Sequence, residues 1–117
     1  MAGAVTLYGI PNCDQVRLAR AWLDARKIEY RFHDFKREGL APLLATRWIE
    51  VAGLEALLNR KGTTWRKLDD SERAGAASTS GARDLMTAHP SIVKRPVLDS
   101  GGRIAVGFAA QTWETLF

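Results

Sequence analysis

The chain carries a single cysteine, Cys13, placed where a short apolar run ends in Gly9-x-Pro11 and a helical pattern begins. A helix N-terminus offers unpaired amides and a partial positive charge. Both favour the thiolate, which is the nucleophilic form of cysteine. The adjacent Asp14 works against a second negative charge, so the expected activation is modest. A free cysteine is commonly a small buried hydrophobe. Core cysteines, however, sit on apolar stripes and not at strand-to-helix turns, and the placement of Cys13 favours chemistry. A lone thiol excludes an internal disulfide, dithiol C-x-x-C redox chemistry and a multi-thiolate zinc site. Any mixed intermediate formed on it needs an external thiol to resolve it. The sixth residue after Cys13 is Ala19, so the C-x5-R oxyanion cradle of tyrosine-phosphatase-type thiol enzymes is missing.

The elements around Cys13 follow from periodicity. Ala4–Tyr8 (AVTLY) reads as a strand. Cys13–Lys27 has Val16, Ala19, Trp22 and Leu23 at helical spacing, with Asn12 as the expected N-cap. Ile28–Phe35 (IEYRFHDF) alternates as a half-buried strand. Strand, helix and strand of this length form a βαβ unit with parallel strands and a right-handed crossover. Leu40–Ala52 and Leu54–Asn59 read as helices parted by Gly53, with Pro42 in a first turn. Arg60–Leu68 reads as loop or broken helix. Ser71–Ala82 is rich in Gly, Ala, Ser and Thr and is expected to pack weakly, with Thr79 or Ser80 capping a segment that runs to His89. Val97–Asp99 and Arg103–Val106 flank Ser100-Gly101-Gly102 as a hairpin. Phe108–Phe117 closes with a short helix. The expected class is α/β: a thioredoxin-like core, βαβ then ββα, with an inserted helical segment at about 40–90, all in a single domain of residues 1–117.

Other residues draw plainer readings. His33 alternates with Phe32 and faces away from it. His89 stands alone, and neither histidine has the companions a metal site needs. Nothing in the chain demands a His33–Cys13 dyad. Trp22, Trp48 and Trp113 fall on apolar helix faces and read as core. Trp65, in a basic stretch, is a candidate for lining the site.

Length and composition set the bounds. A chain of 117 residues, 46% hydrophobic and 26% charged, suits one globular domain. No run approaches the roughly 18 apolar residues of a membrane span. No positive charge precedes the apolar stretch of MAGAVTLYGIP, so no signal peptide is read and a cytoplasmic location is expected. The net charge is +4. The basic residues are mixed with acids along the chain, which fits small anions or acidic peptides better than nucleic acid.

Three stretches carry a resemblance. Leu7-Tyr8-Gly9-Ile10-Pro11-Asn12-Cys13-Asp14, Leu58-Asn59-Arg60-Lys61-Gly62-Thr63-Thr64-Trp65-Arg66 and His89-Pro90-Ser91-Ile92-Val93-Lys94-Arg95-Pro96-Val97 resemble the glutaredoxin-linked arsenate reductase (ArsC-like) family. That family also holds the Spx transcription regulators. Cys13-Asp14, Arg31–Lys36 and Val106-Gly107-Phe108 are most similar to its short, single-cysteine YffB-type branch. The resemblance spans nearly the whole chain in order. It implies a glutathione-dependent thiol reductase with Cys13 as nucleophile, no tightly bound cofactor and glutathione as co-substrate. It further implies an anion- and glutathione-binding set of Arg60, Arg95, Asn12, Arg17 and Pro96. The Arg95-Pro96 bond is expected to be cis and to face the cysteine. Expected partners are glutathione and glutaredoxin, with no nucleic acid, no membrane and a monomeric chain. The position of a third oxyanion arginine falls at Val106-Gly107 and holds none, which counts against arsenate as substrate. The second cysteine of an Spx-type switch would be residue 16, which is Val16, so that disulfide is excluded. The alternative is a non-catalytic adaptor that docks on RNA polymerase or another protein, as Spx-type regulators do.

Overall fold

The computed structural model describes residues 4–117. The start of the stretch read for a signal peptide, Met1–Gly3, lies outside the described residues. The chain forms two compact units, one made of residues up to Arg37 together with Arg95–Phe117, the other of Glu38–Lys94. Among the described residues, no helix is long and apolar enough to cross a membrane.

The first unit is built on a four-stranded sheet of order β2-β1-β3-β4. Its strands are β1 (Val5–Gly9), β2 (Arg31–Asp34), β3 (Val97–Ser100) and β4 (Arg103–Val106). Helix α1 (Asp14–Ala25) crosses from β1 to β2, which run parallel with Leu7 opposite Phe32 and Tyr8 opposite His33. Strand β3 runs antiparallel to β1, with Tyr8 opposite Val97. β3 and β4 form the hairpin expected from Gly101-Gly102, whose φ values of 59° and 94° supply the positive dihedrals that a tight two-residue turn requires. The chain ends in α8 (Ala110–Glu114).

Val5, Leu7, Ala19, Leu23, Leu98 and Trp113 bury themselves as one cluster between the sheet, α1 and α8. Phe32 packs on that cluster. His33 instead lies against Tyr8, with ring centroids 4.8 Å apart. This is the alternation read from the sequence, and it places Tyr8 and His33 on the sheet face away from α1. Gly9 is required by close approach: a Cβ there would meet Val16 Cγ2 at 2.7 Å. The end of β1 therefore lies directly on the first turn of α1.

β2 is shorter than the alternating pattern suggested. Helix α1 closes with a Schellman turn, in which the Ile28 amide donates to Leu23 and the Lys27 amide to Asp24, each at 3.0 Å. That turn takes in Ile28, the first residue of the expected strand, and β2 pairs only from Arg31. The far end is cut at Phe35, which starts the single turn α2 (Phe35–Glu38).

The second unit is helical: α3 (Pro42–Ala52), α4 (Leu54–Leu57), α5 (Thr63–Lys67), α6 (Asp70–Gly75), α7 (Thr79–Ala88) and a 3-10 turn at Pro90–Ile92. One expectation is corrected here, the cap of α7. The small-residue stretch is mostly exposed, in keeping with weak packing, with Ala76 and Ala82 buried within it. Asp69 and Glu72 form a capping box at the start of α6, and Ser78, rather than Thr79 or Ser80, caps α7. Ala82, Leu85 and Met86 of α7 are buried, and α7 packs along α3. Arg60–Leu68 takes the broken-helix alternative, with α5 forming within it.

Candidate functional site

Cys13 is itself the N-cap of α1, with extended backbone at φ −128° and ψ 129°. This corrects the expectation that Asn12 caps the helix. The Asn12 side chain is committed elsewhere: its Oδ1 accepts from Arg17 Nη2 at 3.1 Å. An N-cap side chain lies beside the amides of the first turn, and here that side chain ends in a thiol.

Partial burial pushes the Cys13 thiol up, yet the balance runs the other way. The Cys13 side chain makes no full capping hydrogen bond, but the nearby Val16 amide, Arg95 guanidinium and Gln15 amide favour the thiolate, and the Arg95 charge adds attraction, so the thiol ionises below its ordinary value. Arg95 belongs to the same unit as Cys13 and stands two residues before β3, which pairs with β1. The sheet thus brings a guanidinium from late in the chain to a cysteine near its start. Pro96 follows, buried, with the Arg95-Pro96 bond cis as the resemblance implied. The Pro96 carbonyl accepts from the Gly107 amide at 2.7 Å.

Arg17 does not present a free guanidinium. Its Nη1 pairs with Asp14 at 2.9 Å, while its Nη2 holds Asn12. The guanidinium therefore ties together the residues on either side of Cys13 and offsets the one carboxylate adjacent to it. Because the side chains are 60% and 91% exposed, solvent weakens this pair. Arg17→Met is expected to slow Cys13 alkylation at fixed pH by at most about fivefold. Adding Asp14→Asn should restore the rate, because the uncompensated carboxylate is then gone. Stopped-flow alkylation of the single and double variants checks this.

Arg60 lies in the other unit, where its Nη1 pairs with Glu55 at 3.1 Å and its guanidinium stands over Trp65 at 5.8 Å from the ring centroid. Together with Lys61, Lys94 and Asn59 it lines a cleft of about 260 Å³. Lys94 was not singled out from the sequence, although it immediately precedes Arg95. His89 sits 3.7 Å from Glu72 within the same unit.

The ArsC family model matches residues 8–116. The chain belongs to the ArsC family. It is similar to a solved YFFB protein at 43% identity, covering 97% of this chain and 98% of that one, with a TM-score of 0.92. It is similar to an arsenate reductase (ArsC) related protein from Brucella melitensis at 46% identity, covering 96% and 92%, with a TM-score of 0.72. A global transcriptional regulator Spx from Streptococcus pyogenes is 31% identical over 107 residues, 89% of this chain and 78% of that protein. The ArsC family thus places this chain among both reductase-like and regulator relatives.

Proposed function

We propose that the chain is a glutathione-dependent thiol reductase acting in the cytoplasm, with Cys13 as its nucleophile. The observation that carries this reading is the sulfur itself, set at the N-cap of α1 and lowered in pKa by two amides and Arg95. The Cys13 thiolate attacks one sulfur of an oxidised substrate disulfide. A Cys13–substrate disulfide forms, the substrate S–S bond breaks, and the second sulfur leaves as a thiolate that takes a proton from solvent. With no other cysteine in the chain, glutathione attacks this mixed disulfide and returns Cys13 as thiolate. A second glutathione then attacks the glutathionyl sulfur, releases the substrate thiol and leaves oxidised glutathione; where glutaredoxin takes this step it carries the glutathionyl group as a mixed disulfide until the second glutathione removes it. Two glutathiones supply the two electrons.

Arg95 steadies the thiolate, and Arg60 with Lys61 and Lys94 offers cations suited to glutathione carboxylates. Arsenate is disfavoured, since Val106-Gly107 supplies no third guanidinium. The adaptor reading draws on the 31% identity to the regulator, and it predicts that Cys13→Ala keeps every partner and phenotype.

The test incubates the protein with oxidised glutathione and follows intact mass. A glutathionyl adduct confined to Cys13, absent in Cys13→Ser and removed by reduced glutathione, is expected. Its rate of formation should rise with pH to a midpoint below that of free cysteine. No adduct, or a midpoint at or above the free value, overturns the proposal.

A further inference from the structure

An open cleft of about 810 Å³ lies where α1 gives way to β2, lined by Arg20, Asp24, Lys27, Glu29, Tyr30 and Phe32 among others. Two cations and two carboxylates meet there, and among the described residues none of the four forms an ion pair. That contrasts with Arg17–Asp14, Arg60–Glu55, Arg73–Asp70 and Arg83–Asp84, all of which pair with near neighbours in sequence. Arg20 and Asp24 stand four apart on one helix, a spacing at which opposite charges normally meet.

The Arg20 guanidinium is drawn away from that pairing. Its Nε donates to the Tyr30 hydroxyl at 3.1 Å, and its Cζ lies 4.4 Å from the Phe32 ring centroid. The terminal nitrogens of this fixed fork have no hydrogen-bond partner among the described residues. A fork held by stacking and by its Nε is arranged for two parallel bonds to a carboxylate.

Lys27 adds a second sign that this rim is built. With φ at 55° it is the one non-glycine residue of positive φ among the described residues. The position after α1 is one that glycine normally fills, and here it keeps a charged side chain despite the unfavourable backbone.

We propose that this cleft binds the zwitterionic head of an α-amino acid, with the carboxylate on Arg20 and Lys27 and the ammonium on Asp24 and Glu29. A ligand carrying both charges on one carbon joins cation to carboxylate where the side chains do not. Phe32, packed on the core, serves to hold the Arg20 guanidinium in place. This site does not involve Cys13 and stands whether or not the thiol reading holds.

The test is a two-dimensional NMR titration of the full chain with L-leucine, beside N-acetyl-L-leucine and L-leucinamide, which each lack one charge. Saturable shifts of amides in the 24–32 segment are expected with leucine, and affinity at least about tenfold weaker with either blocked analogue. Absence of saturable shifts, or equal binding of a blocked analogue, overturns the proposal. Asp24→Asn, at an exposed position, should weaken leucine binding with an unchanged thermal midpoint. Lys27→Gly should weaken binding while raising that midpoint, because the backbone strain is relieved. Unchanged affinity in both variants likewise overturns the assignment.

Discussion

Arg95→Met is expected to slow alkylation of Cys13 by iodoacetamide at neutral pH by about tenfold, the size of one hydrogen bond to a charged group. Iodoacetamide is uncharged, so its rate follows the thiolate fraction and not attraction of the reagent. In the wild type, burial works against the thiolate, and the Val16 amide, Arg95 and the Gln15 amide reverse that. Removing the guanidinium leaves the burial and the amides in place, so the ionisation midpoint must move up. Methionine preserves most of the side-chain volume beside buried Pro96. At pH well above both midpoints the two proteins should react at similar rates, since both are then fully ionised. A variant whose rate profile overlies the wild type at every pH would show that Arg95 does not act on the sulfur.

The same interaction has a sign in stability. A thiol whose folded pKa is lowered makes the folded state bind fewer protons than the unfolded state between the two pKa values. Relative to Cys13→Ala, the wild type should therefore gain stability as pH rises through that window. The gain is fully present above the unfolded thiol pKa and lost as pH falls through the folded one. Arg95→Met narrows the window from below. Urea midpoints measured at several pH values on these three proteins would check the direction.

The order of elements in the first unit was legible because each carried its own local signal. Alternation marked β2, helical spacing of Val16, Ala19 and Leu23 marked α1, and Gly101-Gly102 marked the hairpin. What escaped was settled by side chains that reach across a few residues. Asn12 looked like the cap of α1, but its carbonyl oxygen is taken by Arg17 and the cap falls to Cys13. The small residues of 71–82 are mostly exposed, as loose packing implies, but Gly81 has a role in close approach that composition did not mark. A Cβ on Gly81 would lie 2.0 Å from the Gly75 carbonyl oxygen, so α6 and α7 meet at a distance only glycine permits. The Asp69-x-x-Glu72 spacing of a capping box was present and could have marked the start of α6. The meeting of Arg95 with Cys13 had no local signal. It depends on β3 pairing with β1, and before the fold was known only the family resemblance pointed to it.

Trp113→Ala should be the most damaging single substitution in the first unit, costing about 3–5 kcal/mol. Helix α8 has five residues, too few to hold helical form alone in water. Tertiary packing must therefore fix it, and Trp113 supplies that packing. The ring is fully buried, meets Phe108 edge-on at 4.9 Å and Trp22 at 5.8 Å between centroids, and joins Leu7, Leu23 and Leu98 in one cluster. Its Nε1 donates to the Gly107 carbonyl at 3.1 Å, fastening α8 to the end of β4. Alanine opens a large cavity and also leaves that carbonyl short of a donor. Trp113→Phe keeps much of the apolar surface and loses the hydrogen bond with part of the ring volume, so a smaller cost of about 1–3 kcal/mol is expected. Domains of this size have total stabilities of about 5–15 kcal/mol, so the alanine variant should approach the limit of folding while the phenylalanine variant remains folded. Urea unfolding followed by far-UV circular dichroism separates the two. Equal costs for alanine and phenylalanine would mean that the hydrogen bond, and not the buried ring, anchors the C-terminal helix.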